Sequence, residues 1–538
     1  MYLLPTVVLS LVVDFIAAHG SDQSFLDNTL LRKHQVQNVL EHQTATVAGC
    51  KHIPTGPIET TKCDYETIES VNGELYSQLN DLVRTPFFRY FRADLYRECP
   101  FWQENGLCMN RECGIATVDE SEIPEKWRAA SLSKVEMPPD EMRNTLPGCY
   151  YRDSDFCFLD DMTEGDYIDL TMNPERFTGY SGAPANRVWS SIYKENCFGI
   201  SEVMLRSERH DPANSFADAL RGELEEQDEM CTEKKVYYKI ISGLHASIST
   251  HICRDYLNQS TGEWGSNLQC FVTRVASHPE RLQYIYFNTV LLLRAFARLG
   301  PYLSAYDYCS SGTHEEDAYT LTKLGSVIGI ASVVGQFDES SLFQGQDANV
   351  LKEEFKTHFR NVTRIMDCVG CDKCRLWGKV QTSGLGTALK ILFELDERAL
   401  DPKTNPNLLS RNEVVALVNT LHRFVESLQF VDEFRRMWAG VDKSQSHALI
   451  REAEEAVTSQ RIHDESDSYL DDEYGPDGSR LPRRWNLFVE VKRRIQHILR
   501  VCRVSTIQCL RRVLTDSAEV LRSVFARSDK MQGPHSDL

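Results

Sequence analysis

The tract Cys368-Val369-Gly370-Cys371-Asp372-Lys373-Cys374 limits what this chain can become more than any other. Two thiols three residues apart in a helical turn can close a small disulfide ring, and the pair exchanges readily when its attacking thiolate is stabilised. Lys373 and Arg375 supply nearby positive charge. The third cysteine cannot join the same bond. It needs a distant partner, or all three serve as metal ligands, as C-x-x-C spacings do in iron–sulfur and zinc sites. The fold must therefore either seat a reactive dithiol or build a metal cage. No second C-x-x-C and no matched His pair completes a tetrahedral zinc site, so no metal is expected.

The rest of the cysteine complement points to an oxidising compartment. Seventeen cysteines in 538 residues are many for a cytosolic enzyme, and the odd count leaves at least one thiol outside any intrachain pair. The apolar run within Met1 to Ala18, followed by small residues, reads as a signal peptide over 1–20. Two N-x-S/T acceptors, Asn258 and Asn361, fit a glycoprotein of the secretory pathway. A net charge of −19 argues against nucleic acid as a partner, because phosphate binding needs a basic surface. The internal apolar run Leu324 to Val334 is too short to span a bilayer and reads as a buried core segment.

Texture divides the chain. Residues 21–160 are rich in prolines, acids and cysteines and are expected to be loops with short helices, stapled by disulfides. Residues 161–445 are expected to form a helical core. Glu280 to Leu299 is apolar nearly all round its middle, the mark of a buried helix. Leu351 to Phe359 and Asn412 to Trp438 also read as helices. Few segments alternate with strand period, so the fold class is all-α. Residues 446–482 form an acidic linker. Residues 483–538 form a basic tail, where Arg493, Arg494, Arg500, Arg503, Arg511, Arg512 and Arg522 lie among apolar residues in a helical pattern suited to a membrane interface.

A second cysteine cluster, Cys99-Pro100-Phe101-Trp102 followed by Cys108 and Cys113, sits among Asn105, Gly106 and Gly114, which suggests a mobile loop. An ordinary loop staple is the plain alternative. Two redox pairs make chemical sense together, because a buried pair cannot receive a bulky protein and a mobile pair can relay electrons to it through mixed disulfides.

CPFW at Cys99 to Trp102, NPERFTGY at Asn173 to Tyr180, ENCF at Glu195 to Phe198, ISGLHASI at Ile241 to Ile248, IMDCVGCDKCRLWGK at Ile365 to Lys379 and QTSGLGTALKILFE at Gln381 to Glu394 resemble the endoplasmic reticulum oxidoreductins, with a tail like that of a fungal member. The resemblance runs from about Cys50 to Trp438. It implies a single helical domain holding FAD in a helical bundle. It implies that Cys108 and Cys113 oxidise protein disulfide isomerase, that Cys113 then reduces the Cys371–Cys374 pair, and that this pair reduces the flavin, with molecular oxygen as acceptor and hydrogen peroxide as product. Cys371 is then the exchange thiol and Cys374 the flavin-facing one. The implied FAD contacts are Arg176, Thr178, Trp189, Ser242, His245, Arg281 and Arg294. Arg forks suit a pyrophosphate, and Trp and His faces suit a planar ring. No Gly-rich dinucleotide fingerprint is present, so the site is not of Rossmann type. The implied structural disulfides are Cys50–Cys63, Cys99–Cys368 and Cys197–Cys231, and Cys309 resembles a regulatory cysteine whose partner is Cys149 or Cys157. Cys253, Cys270, Cys502 and Cys509 receive no assignment. The resemblance places the protein in the endoplasmic reticulum lumen, peripheral on the luminal membrane face. The competing classes are a metal-cluster protein and a non-catalytic disulfide-rich binding protein.

Overall fold

The computed structural model describes residues 65–453 and Glu455, apart from internal stretches of which 102–113, 129–155, 157–164, 176–179, 196–231, 309–313 and 401–404 are the longest. The chain divides into two units, Met1–Glu454 and Glu455–Leu538. The expected signal peptide, the Cys50–Cys63 and Cys197–Cys231 bonds, the pairing of Cys309, most of the linker and the basic tail lie outside the described residues.

The first unit is built of helices. In chain order it runs α1 (Tyr65–Leu82), α2 (Pro86–Arg89), β1 (Tyr90–Ala93), β2 (Thr117–Val118), β3 (Asp166–Asp169), α3 (Ala183–Lys194) and α4 (Thr232–Arg254). A hairpin of β4 (Tyr256–Leu257) and β5 (Trp264–Gly265) follows, then α5 (Leu268–Phe271) and a π-helical turn, Val272–Ala276. The remaining helices are α6 (Pro279–Ala305), α7 (His314–Val334), α8 (Ala348–Ile365), α9 (Asp372–Phe393) and α10 (Arg411–Ala439). Helices α6, α9 and α10 pack on one another, α4 lies against α6 and α10, and α1 and α7 close the other side.

Local chemistry explains why these helices start where they do. Pro279 opens α6 at a position where its missing N–H costs nothing. Ser410 and Glu413 form a reciprocal capping box at the start of α10: Ser410 N donates to Glu413 Oε2 at 2.8 Å, and Glu413 N donates to Ser410 Oγ at 3.3 Å. Along α6, Ile285, Phe287, Leu291, Leu293, Phe296 and Leu299 are all buried although they point to different sides, as the all-round apolar pattern requires. The α9–α10 approach is set by Gly384, where a Cβ would come within 2.0 Å of Thr420 Oγ1. The close approach lets Thr420 Oγ1 donate to the Val380 carbonyl at 3.1 Å.

Three expectations need correction. The all-α class is incomplete: β3 pairs antiparallel with β1 (Tyr90 opposite Asp169) and with β2 (Val118 opposite Tyr167), and β4–β5 is a second small sheet. Strands of two to four residues are too short to show a period-2 pattern in sequence. The segment expected to be loops with short helices contains the 18-residue α1, held by buried Ile68, Leu75, Leu79 and Leu82. Finally, Leu324 to Val334 is not buried throughout. It is part of α7, which buries Leu324, Val327, Ala331 and Val334 along one stripe and exposes Val333.

Candidate active site

The dithiol tract sits where α8 gives way to α9, through a 3₁₀ turn at Met366–Cys368. Cys368 is bonded to Cys99, 269 residues earlier in the chain. One of the three thiols is thereby removed from any shared metal site, and among the described residues no group of three His, Cys, Asp or Glu is placed to hold an ion. Cys371 caps α9, and its Sγ accepts from the Cys374 N–H at 3.3 Å. Cys374 Sγ lies 2.7 Å from Cys371 Sγ, and both residues are fully buried. The helix N-terminus adds partial positive charge at the thiols, which favours a thiolate.

The surroundings hold this geometry. Arg375 is used structurally: Nε donates to the Val369 carbonyl at 3.0 Å and Nη1 to the Leu95 carbonyl. Lys379 forms an ion pair with Asp367 at 2.5 Å, both side chains buried. Breaking one partner of such a pair strands the other charge, a loss of about 3–5 kcal/mol. One helical turn beyond Cys374, Gly378 leaves room for Tyr180, whose Oη would be 2.1 Å from a Cβ at that position. Tyr180 Oη donates to the Cys374 carbonyl at 3.0 Å and lies 3.2 Å from Met366 Sδ. Burial, then the neighbouring Cys374 and Cys371, hold the Tyr180 pKa well above its ordinary value, so the hydroxyl stays protonated.

Tyr180 joins the thiols to the expected cofactor residues. Its ring centroid is 5.9 Å from that of Trp189 on α3. Trp189 stacks on His245 of α4, with centroids 3.8 Å apart and planes inclined by 16°. His245 Nδ1 lies 3.0 Å from Tyr193 Oη. Burial first, then the charges of Arg281, Arg274 and His278, keep His245 far below its ordinary pKa, so it is neutral. Ser242 is buried one turn earlier on α4, and burial pushes the pKa of Tyr193 up to about 12. Arg281, at the start of α6, donates Nη1 to the Arg274 carbonyl at 2.6 Å.

Trp189, Ser242, His245 and Arg281 are thus neighbours. Arg294 stands apart, 13 residues further along α6 or about 20 Å, and grips Glu339 with Nε at 3.0 Å and Nη2 at 2.7 Å. Arg176, Thr178, Cys108 and Cys113 lie outside the described residues. Asn258 is exposed on the β4–β5 hairpin, whereas the half-buried Asn361 donates its amide to Glu195 Oε2 at 3.1 Å.

The residues fit a planar dinucleotide. Among the described residues the buried Trp189 indole N–H meets no hydrogen-bond partner, an orphan donor beside the His245 ring. A cationic guanidinium adjoins them at Arg281.

Sequence reasoning missed several residues that the site relies on. Tyr180 was given no role. Neither was Asn173, which is fully buried: its Nδ2 donates to the Ala116 and Asp169 carbonyls at 2.9 Å each, and its Oδ1 accepts from Ala116 N at 2.8 Å. Trp377 Nε1 on α9 donates to the Asn173 carbonyl at 2.9 Å. Cys253 and Cys270, without an assignment, are bonded to each other. No local signal identifies these contacts, although NPER next to an invading aromatic residue could have prompted a search.

Residues 74–431 match the family described as Endoplasmic Reticulum Oxidoreductin 1. The endoplasmic reticulum oxidoreductin-1 of Neurospora crassa is 40% identical over 490 residues, spanning 77% of this chain and 73% of that protein. The Arabidopsis thaliana oxidoreductin-1 is 38% identical over 402 residues, spanning 70% and 79%. The ERO1-like protein alpha of Mus musculus is 36% identical over 431 residues, spanning 72% and 91%. Among solved structures, a double mutant of S. cerevisiae Ero1p is 33% identical, with 70% of this chain and 98% of that one covered and a TM-score of 0.48. These relatives include fungal, plant and animal proteins and do not single out a fungal lineage.

Proposed function

Since this chain belongs to the Endoplasmic Reticulum Oxidoreductin 1 family and is a thiol oxidase of oxidative folding in the endoplasmic reticulum, we propose that Cys371 and Cys374 are its core redox pair and that FAD binds beside them. One observation carries the reading: the buried dithiol at the head of α9 is linked through Tyr180 to the Trp189–His245 stack. FAD, when bound, would supply a two-electron acceptor for the dithiol and a route to oxygen, giving hydrogen peroxide.

The chain's own residues do the rest. Trp189 and His245 offer aromatic faces, the indole N–H and Ser242 offer polar contacts, and Arg281 offers charge for a phosphate. Arg176, Thr178 and Arg294 remain proposed contacts, and Arg294 would have to share or leave Glu339. The low pKa of His245 keeps it from adding positive charge to the stack. Cys371, the helix cap, is the proposed exchange thiol, and Cys374, under the Tyr180 hydroxyl, the flavin-facing one. Oxidising the pair forms one S–S bond and releases two electrons and two protons.

Cys108 and Cys113 are the proposed shuttle pair that oxidises protein disulfide isomerase and is reoxidised at Cys371. Both described ends of their segment are fastened near the dithiol. Before it, Cys99 is bonded to Cys368; after it, Ala116 is clamped by Asn173, which Trp377 of α9 holds in turn. We further propose a luminal site peripheral to the membrane through the 483–538 tail. Among the described residues no helix is long and apolar enough to cross a membrane.

Anaerobic mixing tests the core. The purified protein should carry releasable FAD, and a small dithiol should bleach its absorbance. Cys371→Ser should retain FAD and bleach at least ~100-fold more slowly. Bleaching of that variant at the unaltered rate removes the pair from the mechanism.

A further inference from the structure

Helix α10 carries a guanidinium, Arg423, that reaches three other parts of the fold at once. Its side chain is only 12% exposed. Nη2 forms an ion pair with Glu175 Oε2 and a 2.9 Å hydrogen bond with His251 Nδ1 of α4. Nη1 pairs with Glu426, one turn on along α10. The guanidinium carbon lies 5.1 Å from the ring centroid of Trp377 on α9. An arginine can only donate, so His251 Nδ1 accepts and Nε2 carries the ring proton, which it gives to the Arg423 carbonyl at 3.1 Å. Burial, the main cause, lowers the His251 pKa, in keeping with that neutral ring.

The three partners belong to three parts of the candidate site. His251 is six residues beyond His245 on the helix that offers the cofactor faces. Trp377 follows Cys374 by three residues on the dithiol helix, and Gln381 continues the same face of α9. Segment 173–175 runs between them. Its Asn173 carbonyl takes the Trp377 indole N–H, and its Glu175 Oε1 accepts from Gln381 Nε2 at 2.9 Å. Glu175 immediately precedes Arg176, one of the proposed FAD contacts. A buried ion pair is a poor way to gain stability, because desolvating two charges offsets most of their attraction. What the planar fork does supply is direction: it meets a carboxylate and an imidazole at set angles, which a lysine or an apolar side chain cannot do.

We propose that Arg423 is a positioning residue for flavin reduction, locking segment 173–175 and the cofactor helix α4 onto the dithiol helix α9 and so aligning cofactor and dithiol. This rests on the FAD reading above and deepens it. The arginine touches neither thiol; it acts through Glu175, His251 and Trp377.

The test uses the full chain. Arg423→Gln, Arg423→Lys and Glu175→Gln are saturated with FAD, held well below their thermal midpoints and mixed anaerobically with a small dithiol. Arg423→Gln should bleach at least about 10-fold more slowly than the unaltered protein, since misplacing reacting groups by about 1 Å costs up to about 100-fold. Arg423→Lys, which keeps the charge but not the fork, should bleach at an intermediate rate. FAD-saturated Arg423→Gln that bleaches at the unaltered rate overturns the proposal even if its midpoint falls, because the arginine then only holds the fold together. If Arg423→Gln does not fold or does not take up FAD, Glu175→Gln decides. That variant leaves Arg423 paired with Glu426 and strands no cation. It should bleach several-fold more slowly, and bleaching at the unaltered rate again overturns the proposal. An unaltered protein without releasable flavin, or one whose flavin the dithiol does not bleach, would instead sink the underlying FAD reading.

Discussion

Adding a single methyl group at Gly378 tests how the dithiol is held. In a helix exposed to solvent, Gly→Ala stabilises by up to about 1 kcal/mol, because glycine is the more costly residue to order. At Gly378 the new Cβ would lie 2.1 Å from Tyr180 Oη and 2.7 Å from Met366 Sδ, whereas ordinary contact begins near 3.4 Å. Tyr180 is fully buried and cannot swing into solvent. Either its ring retreats by more than 1 Å or α9 shifts. Overpacking of this kind costs about 1–3 kcal/mol, and losing the hydrogen bond to the Cys374 carbonyl about 1 kcal/mol more. After the propensity gain, Gly378→Ala should destabilise by about 1–3 kcal/mol. It should also slow flavin reduction by a small dithiol, since Tyr180 no longer seats Cys374. Gly325, exposed on α7 with nothing within 4 Å of its virtual Cβ, is the control, and Gly325→Ala should be neutral or stabilising. Urea unfolding of both variants, followed by fluorescence and by flavin release, measures the difference. Equal stability of Gly378→Ala and Gly325→Ala would refute the packing argument.

Three further outcomes are expected. His251 and His422 are buried with lowered pKa values, burial being the main cause in each, so below about pH 6.5 the unfolded chain binds more protons and stability falls with falling pH. His422→Phe should reduce that slope by up to about 1.4 kcal/mol per pH unit; identical slopes in urea titrations between pH 7 and 5 would contradict it. When the protein is expressed in a glycosylating host, Asn258→Gln should remove a glycan visible as a gel shift and Asn361→Gln should not, because the Asn361 amide is engaged by Glu195; the reverse pattern would show that the pair opens before modification. Deleting the residues after Pro482 should release the protein from anionic vesicles while FAD binding and thiol oxidation persist, and a truncated protein that still sediments with them would rule out the tail as the anchor.

The long helices were legible because their causes are local. The all-round apolar run of α6 and the pattern of α10 are each written within a few turns of chain, and Ser410 and Glu413 set a helix start three residues apart. The closeness of Cys371 and Cys374 was legible for the same reason, since the spacing itself brings the sulfurs together. The staple on Cys368 was not written in the local spacing: the resemblance implied its partner, and the bond depends on Cys99, which reaches Cys368 only after 269 residues of chain have folded. Spacing could not choose among many possible partners for Cys253 and Cys270. The short strands carried too little pattern to be seen. Tyr180 was visible only as one letter of a motif, because its role is defined by Gly378 and Cys374, contributed by a different helix nearly 200 residues later. Amino-acid chemistry over a few residues determined helices, caps and thiol pairs. Only packing between distant segments, where steric fit and burial fix which groups meet, decided which thiol is spent in a staple and which hydroxyl seats the dithiol.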